Sequence, residues 1–264
     1  MKTIYHFSGA GNDFVVIDGR EGDVSAFREV PRIEALCQEY KTDGLMILGS
    51  GDAEVDFTME FYNPDGSGGM MCGNGGRCIV AFADYLGIRP SSGGVFLFMA
   101  PDGLHTGEIL ERPADDLWTV RIKMIDVQGI TPMLGGYFLN TGTRHFVKFV
   151  DDVEQVDVAA EGKALRWNEA FAPIGTNVNF VQVAPDGLHV RTFEKGVEGE
   201  TLACGTGLTA CALVAHHTGV PTATPGAYRL RARQDWLSVN FTPGADEKFT
   251  DVYLTGPARL VEIR

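Results

Sequence analysis

Long apolar runs, excess basic charge, dense cysteine and low-complexity tracts are all missing from this 264-residue chain. The longest apolar runs, such as Ala210 to Ala215, fall far short of the roughly 20 residues a membrane-spanning helix requires. The opening "MKTIYHFSGAGND" has no continuous apolar core of signal-peptide length, so export is not expected. The formal net charge of −13 argues against a phosphate-backbone ligand, because nucleic-acid sites need a basic footprint. Five cysteines, at positions 37, 72, 78, 204 and 211, are too few and too odd in number for a secreted disulfide framework. A reducing, cytoplasmic location is expected instead. No charge-run or Pro/Gly/Ser-rich linker marks a domain boundary.

What the chain does have is 33 glycines, 44% hydrophobic residues and a repeating order of elements. "KTIYHFSGAGNDFVVIDGR" reads as two strands around a Gly-rich loop. "REVPRIEALCQEYKTDGLMILG" reads as a helix with Pro31 in its first turn, then a strand. "EVDFTMEFYNPDGSGG" is a strand running into a Pro-Asp-Gly turn. A helix follows Cys72 and ends at Gly87, and three strands come after it. The order then recurs in "GYFLNTGTRHFVKFV", "NVNFVQVA", "LHVRTFEKG" and the glycine-led helix "CGTGLTACALVAHHTG".

The recurrence has a fixed offset. Cys204 follows Cys72 by 132 positions, and at that spacing Gly73, Gly75, Gly87, Phe61 and Phe14-Val15 match Gly205, Gly207, Gly219, Phe193 and Phe146-Val147. The expected fold is α/β (α+β): two pseudo-symmetric domains from internal duplication, each a mostly antiparallel sheet curled around a central helix. The expected halves are 1–118, carrying Cys72, and 119–264, carrying Cys204, with the last strand near 255–264 able to return to the first half.

"MCGNGGRC" and "ACGTG" place a thiol immediately before glycines at a helix start. The first N–H groups of a helix have no intrahelical acceptor, and the helix dipole favours negative charge there, so such a thiol is expected to ionise more readily. Glycines let the backbone approach a ligand and present those N–H groups to a carboxylate. Two such sites working together could remove a proton from one face of an α-carbon and return one to the other, with no metal or pyridoxal cofactor. Two thiols serving one carbon would also be near enough to oxidise to a disulfide. Other readings remain open at this point. Cys37, Cys78 and Cys211 read as small packing residues. A zinc site of Cys72, Cys78, Cys204 and Cys211 lacks the usual CxxC spacing. "GNGG" and "GAG" do not complete a dinucleotide fingerprint.

Taken together, "FSGAGNDFVVID", "YNPDGSGGMMCGNGGRC", "GTNVNFV" and "FEKGVEGETLACGTG" resemble the diaminopimelate epimerase family, in this order and over nearly the whole chain. The resemblance implies a cytoplasmic, cofactor-independent homodimer that converts LL-diaminopimelate to the meso isomer for lysine and peptidoglycan synthesis. It implies Cys72 and Cys204 as the acid/base pair, with His145 and Glu194 assisting. Gly73, Asn74, Gly205 and Thr206 would hold the reacting carboxylate. Asn12, Asn63, Asn177, Glu194 and Lys195 would contact the rest of the substrate, a small amino acid rather than a nucleic acid or a membrane. This chain departs from the family pattern at Lys195, where an arginine is usual, and at Thr143 and Arg144, which replace Asn-Pro before His145. Those departures leave open a racemase of another amino acid, or a small-molecule binder without catalysis.

Overall fold

Phe57–Tyr62 alternates buried and half-exposed residues along its whole length, the period-two signature of a strand with one face on a core. That pattern is typical of the computed structural model, which describes residues 2–69 and 71–264. The chain forms two units, one of Met1–Ile122 with Gly256–Arg264 and one of Lys123–Thr255.

The first unit begins with β1 (Ile4–Gly9) and β2 (Asn12–Asp18), antiparallel and joined by Ala10 and Gly11. Both connecting residues have positive φ, 58° and 90°, as a two-residue hairpin requires. Helix α1 (Val30–Tyr40) carries Pro at its start and closes on Lys41, which takes the left-handed conformation. It crosses over to β3 (Gly44–Ser50), which runs parallel to β2; β4 (Phe57–Tyr62) then pairs antiparallel with β3. Helix α2 (Gly73–Tyr85) is the second crossover, leading to β5 (Val95–Ala100) parallel to β4. The antiparallel strands β6 (Gly103–Ala114) and β7 (Leu117–Lys123) follow.

The second unit repeats the plan. Strands β8 (Val127–Gln128), β9 (Thr131–Met133), β10 (Gly136–Asn140) and β11 (Arg144–Phe149) lead to α3 (Val158–Arg166). Strand β12 (Asn177–Ala184) lies parallel to β11 and antiparallel to β13 (Gly187–Glu194). A short β14 (Gly199–Thr201) precedes α4 (Gly205–His217), the second crossover, and β15 (Ala227–Arg231) lies parallel to β13. Strands β16 (Trp236–Pro243) and β17 (Lys248–Ile263) finish the chain. The early residues of β17 pair with β16 and β8, and its last residues pair with β7 and β1. In the first unit the strand ladder therefore closes on itself, from β1 through β7 to β17 and back to β1.

Helix α2 is buried from Gly73 through Ala83, and α4 is buried over nearly the same stretch. A helix enclosed on all sides must avoid bulk where it meets its sheet. A Cβ on Gly9 would sit 2.8 Å from the Asn74 carbonyl oxygen and 2.9 Å from Cys78 Sγ, so glycine there lets β1 pass close to α2. Phe7, Phe82 and Trp118 pack together at the same helix, the Phe7 ring edge-on to Phe82 at 5.6 Å and tilted against Trp118 at 5.9 Å. The Trp118 indole N–H is satisfied by Asp84 at 2.8 Å.

The internal repeat holds from β3 onward. The two helices have matching bounds at the 132-residue offset, and Gly87 and Gly219 follow them with φ of 76° and 77°. Ser92–Val95 and Thr224–Ala227 form the same isolated bridge in each half. Earlier in the chain the offset slips. Met46 pairs with Phe61 and Val178 with Phe193, yet the parallel neighbour of Met46 is Val16 whereas that of Val178 is Phe146. The Phe14-Val15 and Phe146-Val147 identities are thus out of structural register by two residues, a shift that keeps side chains on the same face.

Candidate functional site

Each helix that follows a Cys-Gly motif starts with its cysteine in the capping position, one residue outside the helix. Cys72 is the N-cap of α2, extended at φ −104° and ψ 152°, and its Sγ accepts the Gly75 N–H at 3.2 Å. The Cys72 carbonyl accepts the Gly76 N–H at 2.8 Å, beginning the helical ladder. Cys204 is the N-cap of α4, and its carbonyl accepts the Leu208 N–H at 2.9 Å. The intervening N–H groups of Gly73 and Asn74, and of Gly205, Thr206 and Gly207, belong to the first turn and have no carbonyl of their own helix to reach. Cys72 is exposed and Cys204 is buried.

In the first unit the hairpin between β1 and β2 sets Asn12 against the start of α2. Asn74 Nδ2 donates to Asn12 Oδ1, and Asn12 Nδ2 donates to Asp43 Oδ2 at 3.1 Å. Behind them lies Arg77, fully buried, whose guanidinium donates to Asn74 Oδ1 at 2.9 Å and to the Gly73 and Pro257 carbonyls at 3.2 and 3.3 Å. Arginine can accept nothing, so this contact fixes which end of the Asn74 amide is oxygen. Asn63 sits in a turn: its N–H donates to the Ser67 carbonyl, its carbonyl accepts from Gly66, and its side chain reaches Ser67 Oγ at 3.0 Å.

In the second unit His145, on β11, is fully buried, and both ring nitrogens are engaged. Nδ1 lies 3.1 Å from Asn179 Nδ2, and Nε2 lies 2.9 Å from both Thr143 Oγ1 and Thr206 Oγ1. Burial pushes the imidazole pKa down to about 3, because a charged ring there would lose its hydration. Thr206 Oγ1 is 3.5 Å from Cys204 Sγ, and the Thr206 carbonyl accepts from Thr141 Oγ1 at 2.9 Å. Asn177 is pinned on three sides, donating to the Arg144 carbonyl at 2.8 Å and Thr143 Oγ1 at 3.3 Å while accepting the Lys195 N–H at 2.9 Å. Glu194 Oε2 accepts from Thr201 Oγ1 at 2.8 Å. The structure thus gathers Cys204, Thr206, His145, Asn177, Thr143 and Lys195 around the start of α4. Arg144 turns aside, its guanidinium 5.9 Å from the centre of the Phe138 ring.

Residues 4–92 and 137–261 match the family model described as diaminopimelate epimerase. The chain is 40% identical to the diaminopimelate epimerase of Chlorobaculum tepidum, over 96% of this chain and 97% of that protein. It is 39% identical to the one from Aquifex aeolicus, over 96% and 93%. The chain belongs to the diaminopimelate epimerase family. It is an isomerase, an epimerase by class. Solved structures below 25% identity share its fold. One is a Bacillus anthracis phenazine biosynthesis protein at TM-score 0.77 and 11% identity, covering 100% of this chain and 98% of its own. Another is a hydroxyproline epimerase from Agrobacterium vitis at TM-score 0.66 and 15% identity, covering 100% and 91%.

For this family member, several contacts escaped the sequence reading. Within "GTNVNFV" and "MCGNGGRC" the sequence gives Asn179 and Arg77 no site role of their own. Their signal is polarity in the wrong place: Asn179 follows Asn177 by two residues, on the same strand face, and Arg77 directly precedes the apolar run Cys78–Ala83 of a buried helix. Among the described residues, no three His, Cys, Asp or Glu side chains converge as metal ligands would.

Proposed function

We propose that the chain epimerises LL-diaminopimelate to meso-diaminopimelate by a two-base mechanism, with Cys72 and Cys204 serving opposite faces of one α-carbon. The observation that carries this reading is the repeated N-cap geometry: in each half a cysteine stands at the start of a buried, glycine-led helix. The relatives named diaminopimelate epimerase support the substrate.

One cysteine, as thiolate, takes the α-proton and becomes a thiol. The other, as thiol, gives its proton to the opposite face and becomes a thiolate. Charge is conserved and the configuration inverts. The N–H groups of Gly73, Asn74, Gly205 and Thr206 hold the substrate carboxylate and stabilise the enediolate-like charge that develops on it. Asn12, Asn63 and Asn177 orient the amino and carboxylate groups, and Glu194 and Lys195 contact the rest of the substrate. His145, kept neutral by burial, supports the site as a hydrogen-bonding group. The same reading makes the protein a cytoplasmic homodimer that needs no cofactor and serves lysine and peptidoglycan synthesis.

The test is deuterium wash-in at the α-carbon, measured for LL-diaminopimelate and for a panel of single amino acids, with Cys72→Ser and Cys204→Ser as controls. The expected result is fast exchange with LL-diaminopimelate alone and loss of turnover in both variants. Faster exchange with another amino acid would assign the chain a different substrate, a point on which Thr143, Arg144 and Lys195 bear directly. Full exchange in both serine variants would end the two-cysteine mechanism.

A further inference from the structure

The Cys204 end of the second unit carries a directed chain of hydrogen bonds. Its direction is set by the Phe146 carbonyl, which can only accept. Asn179 Nδ2 lies 3.1 Å from that oxygen and 3.1 Å from His145 Nδ1, while Asn179 Oδ1 accepts from Thr192 Oγ1 at 2.9 Å. Rotating the amide would place oxygen against oxygen at Phe146, so the NH2 end must face both Phe146 and the ring. A nitrogen that receives such a donor carries no proton, which leaves the single imidazole proton on Nε2. Nε2 faces Thr206 Oγ1 at 2.9 Å. A hydroxyl that accepts the Nε2 proton keeps its own proton to give, and Cys204 Sγ lies 3.5 Å away. The packing is tight enough to hold this order. A Cβ on Gly207 would fall 2.4 Å from Asn179 Oδ1 and 3.3 Å from His145 Cε1.

We propose that Asn179 is a positioning residue: by imposing the Nε2–H tautomer on His145 it aims the Thr206 hydroxyl proton at Cys204 Sγ and stabilises the thiolate of that cysteine. The consequence for turnover rests on the proposed role of Cys204; the hydrogen-bond chain does not. Thr143 offers Nε2 a second hydroxyl at 2.9 Å, and Asn177 Nδ2 donates to that hydroxyl. Of the two hydroxyls at Nε2, Thr206 is the one that also lies within reach of Cys204 Sγ, so it links the ring to the thiol.

Two measurements test the proposal. In two-bond 1H–15N spectra of the labelled protein, His145 is expected as the Nε2–H tautomer. In Asn179→Asp, where a carboxylate faces the ring, Nδ1 is expected to gain a proton. The second measurement is the pH profile of iodoacetamide labelling of the Cys204 peptide, read by mass spectrometry. In Thr206→Val the profile should move to higher pH, with labelling at pH 7 about tenfold slower, and Thr206→Ser should restore it. An Nδ1–H tautomer in the wild type, or a Thr206→Val profile superimposed on the wild type, would overturn the proposal. If the profiles shift as stated but Cys204→Ser retains full α-hydrogen exchange, the epimerisation mechanism fails and the hydrogen-bond chain stands.

Discussion

Arg77 Nη2 donates to Asn74 Oδ1 at 2.9 Å from a fully buried position inside the closed sheet of the first unit. Because Asn74 in turn donates to Asn12, and Asn12 to Asp43, a buried guanidinium sets the orientation of two side chains at the start of α2. Lysine keeps the charge but is a single flexible point that cannot span the Gly73, Asn74 and Pro257 oxygens at once. Arg77→Lys should therefore raise KM for LL-diaminopimelate about tenfold while kcat changes less. Steady-state kinetics beside a urea unfolding curve would check this. An unchanged KM in a folded variant would remove Arg77 from the positioning machinery.

The five cysteines should separate by reactivity. Cys72 is exposed, while Cys204 is buried at the same position of the other half. Burial pushes the thiols of Cys37, Cys78 and Cys211 up, and a thiol that stays protonated and shielded does not attack an alkylating agent. Native protein treated with iodoacetamide at about pH 8 should label first at Cys72, more slowly at Cys204, and at the other three only after denaturation. Peptide mapping over time reads the order directly, and early labelling of Cys78 would contradict the enclosed helix.

Much of this architecture was legible because local chemistry and fold agree. Period-two strands, the proline at the start of α1 and the left-handed glycines after α2 and α4 are dictated by backbone geometry, and each appears in the structure. The fold class and the family were legible for the same reason, since the Cys-Gly helix starts carry them. What could not be read were contacts made across strands. The pairing of Asn179 with His145 depends on the parallel register of β11 and β12, which sets His145 opposite Asn177 and Val147 opposite Asn179. No spacing in the sequence encodes that register. The Phe14 and Phe146 identity was likewise a true match in composition but not in strand position.

Glycine at position 207 should prove irreplaceable for steric reasons alone. Its hypothetical Cβ meets the Asn179 amide at 2.4 Å, and a buried amide held by three partners cannot retreat. Gly207→Ala should cost roughly 2 kcal/mol of stability and lower activity as well, since Thr206 and Cys204 adjoin it. Gly68→Ala is the control, because a Cβ there meets nothing within 4 Å and its effect should stay within about 0.5 kcal/mol. Chemical denaturation of both variants gives the comparison, and equal stabilities would refute the close approach of α4 to β12.

The buried imidazole should make the protein acid-labile in a defined window. His145 takes a proton only near pH 3 in the folded state, against an ordinary value of 6.5. Above 6.5 it is neutral in both folded and unfolded chains and has no effect on the pH dependence of stability. Between 6.5 and about 3 the unfolded chain binds the extra proton, so stability falls as pH falls, by about 1.4 kcal/mol per unit at most. His145→Gln removes this proton uptake while leaving a polar side chain in the cavity. Urea midpoints measured at several pH values from 7.5 down to about 4 should show the wild type losing stability more steeply than the variant. Carboxylates that titrate in the same range act on both proteins and cancel in the difference. Parallel curves would mean that the ring is charged in the folded protein, and the hydrogen bond from Asn179 to Nδ1 would then have to be abandoned.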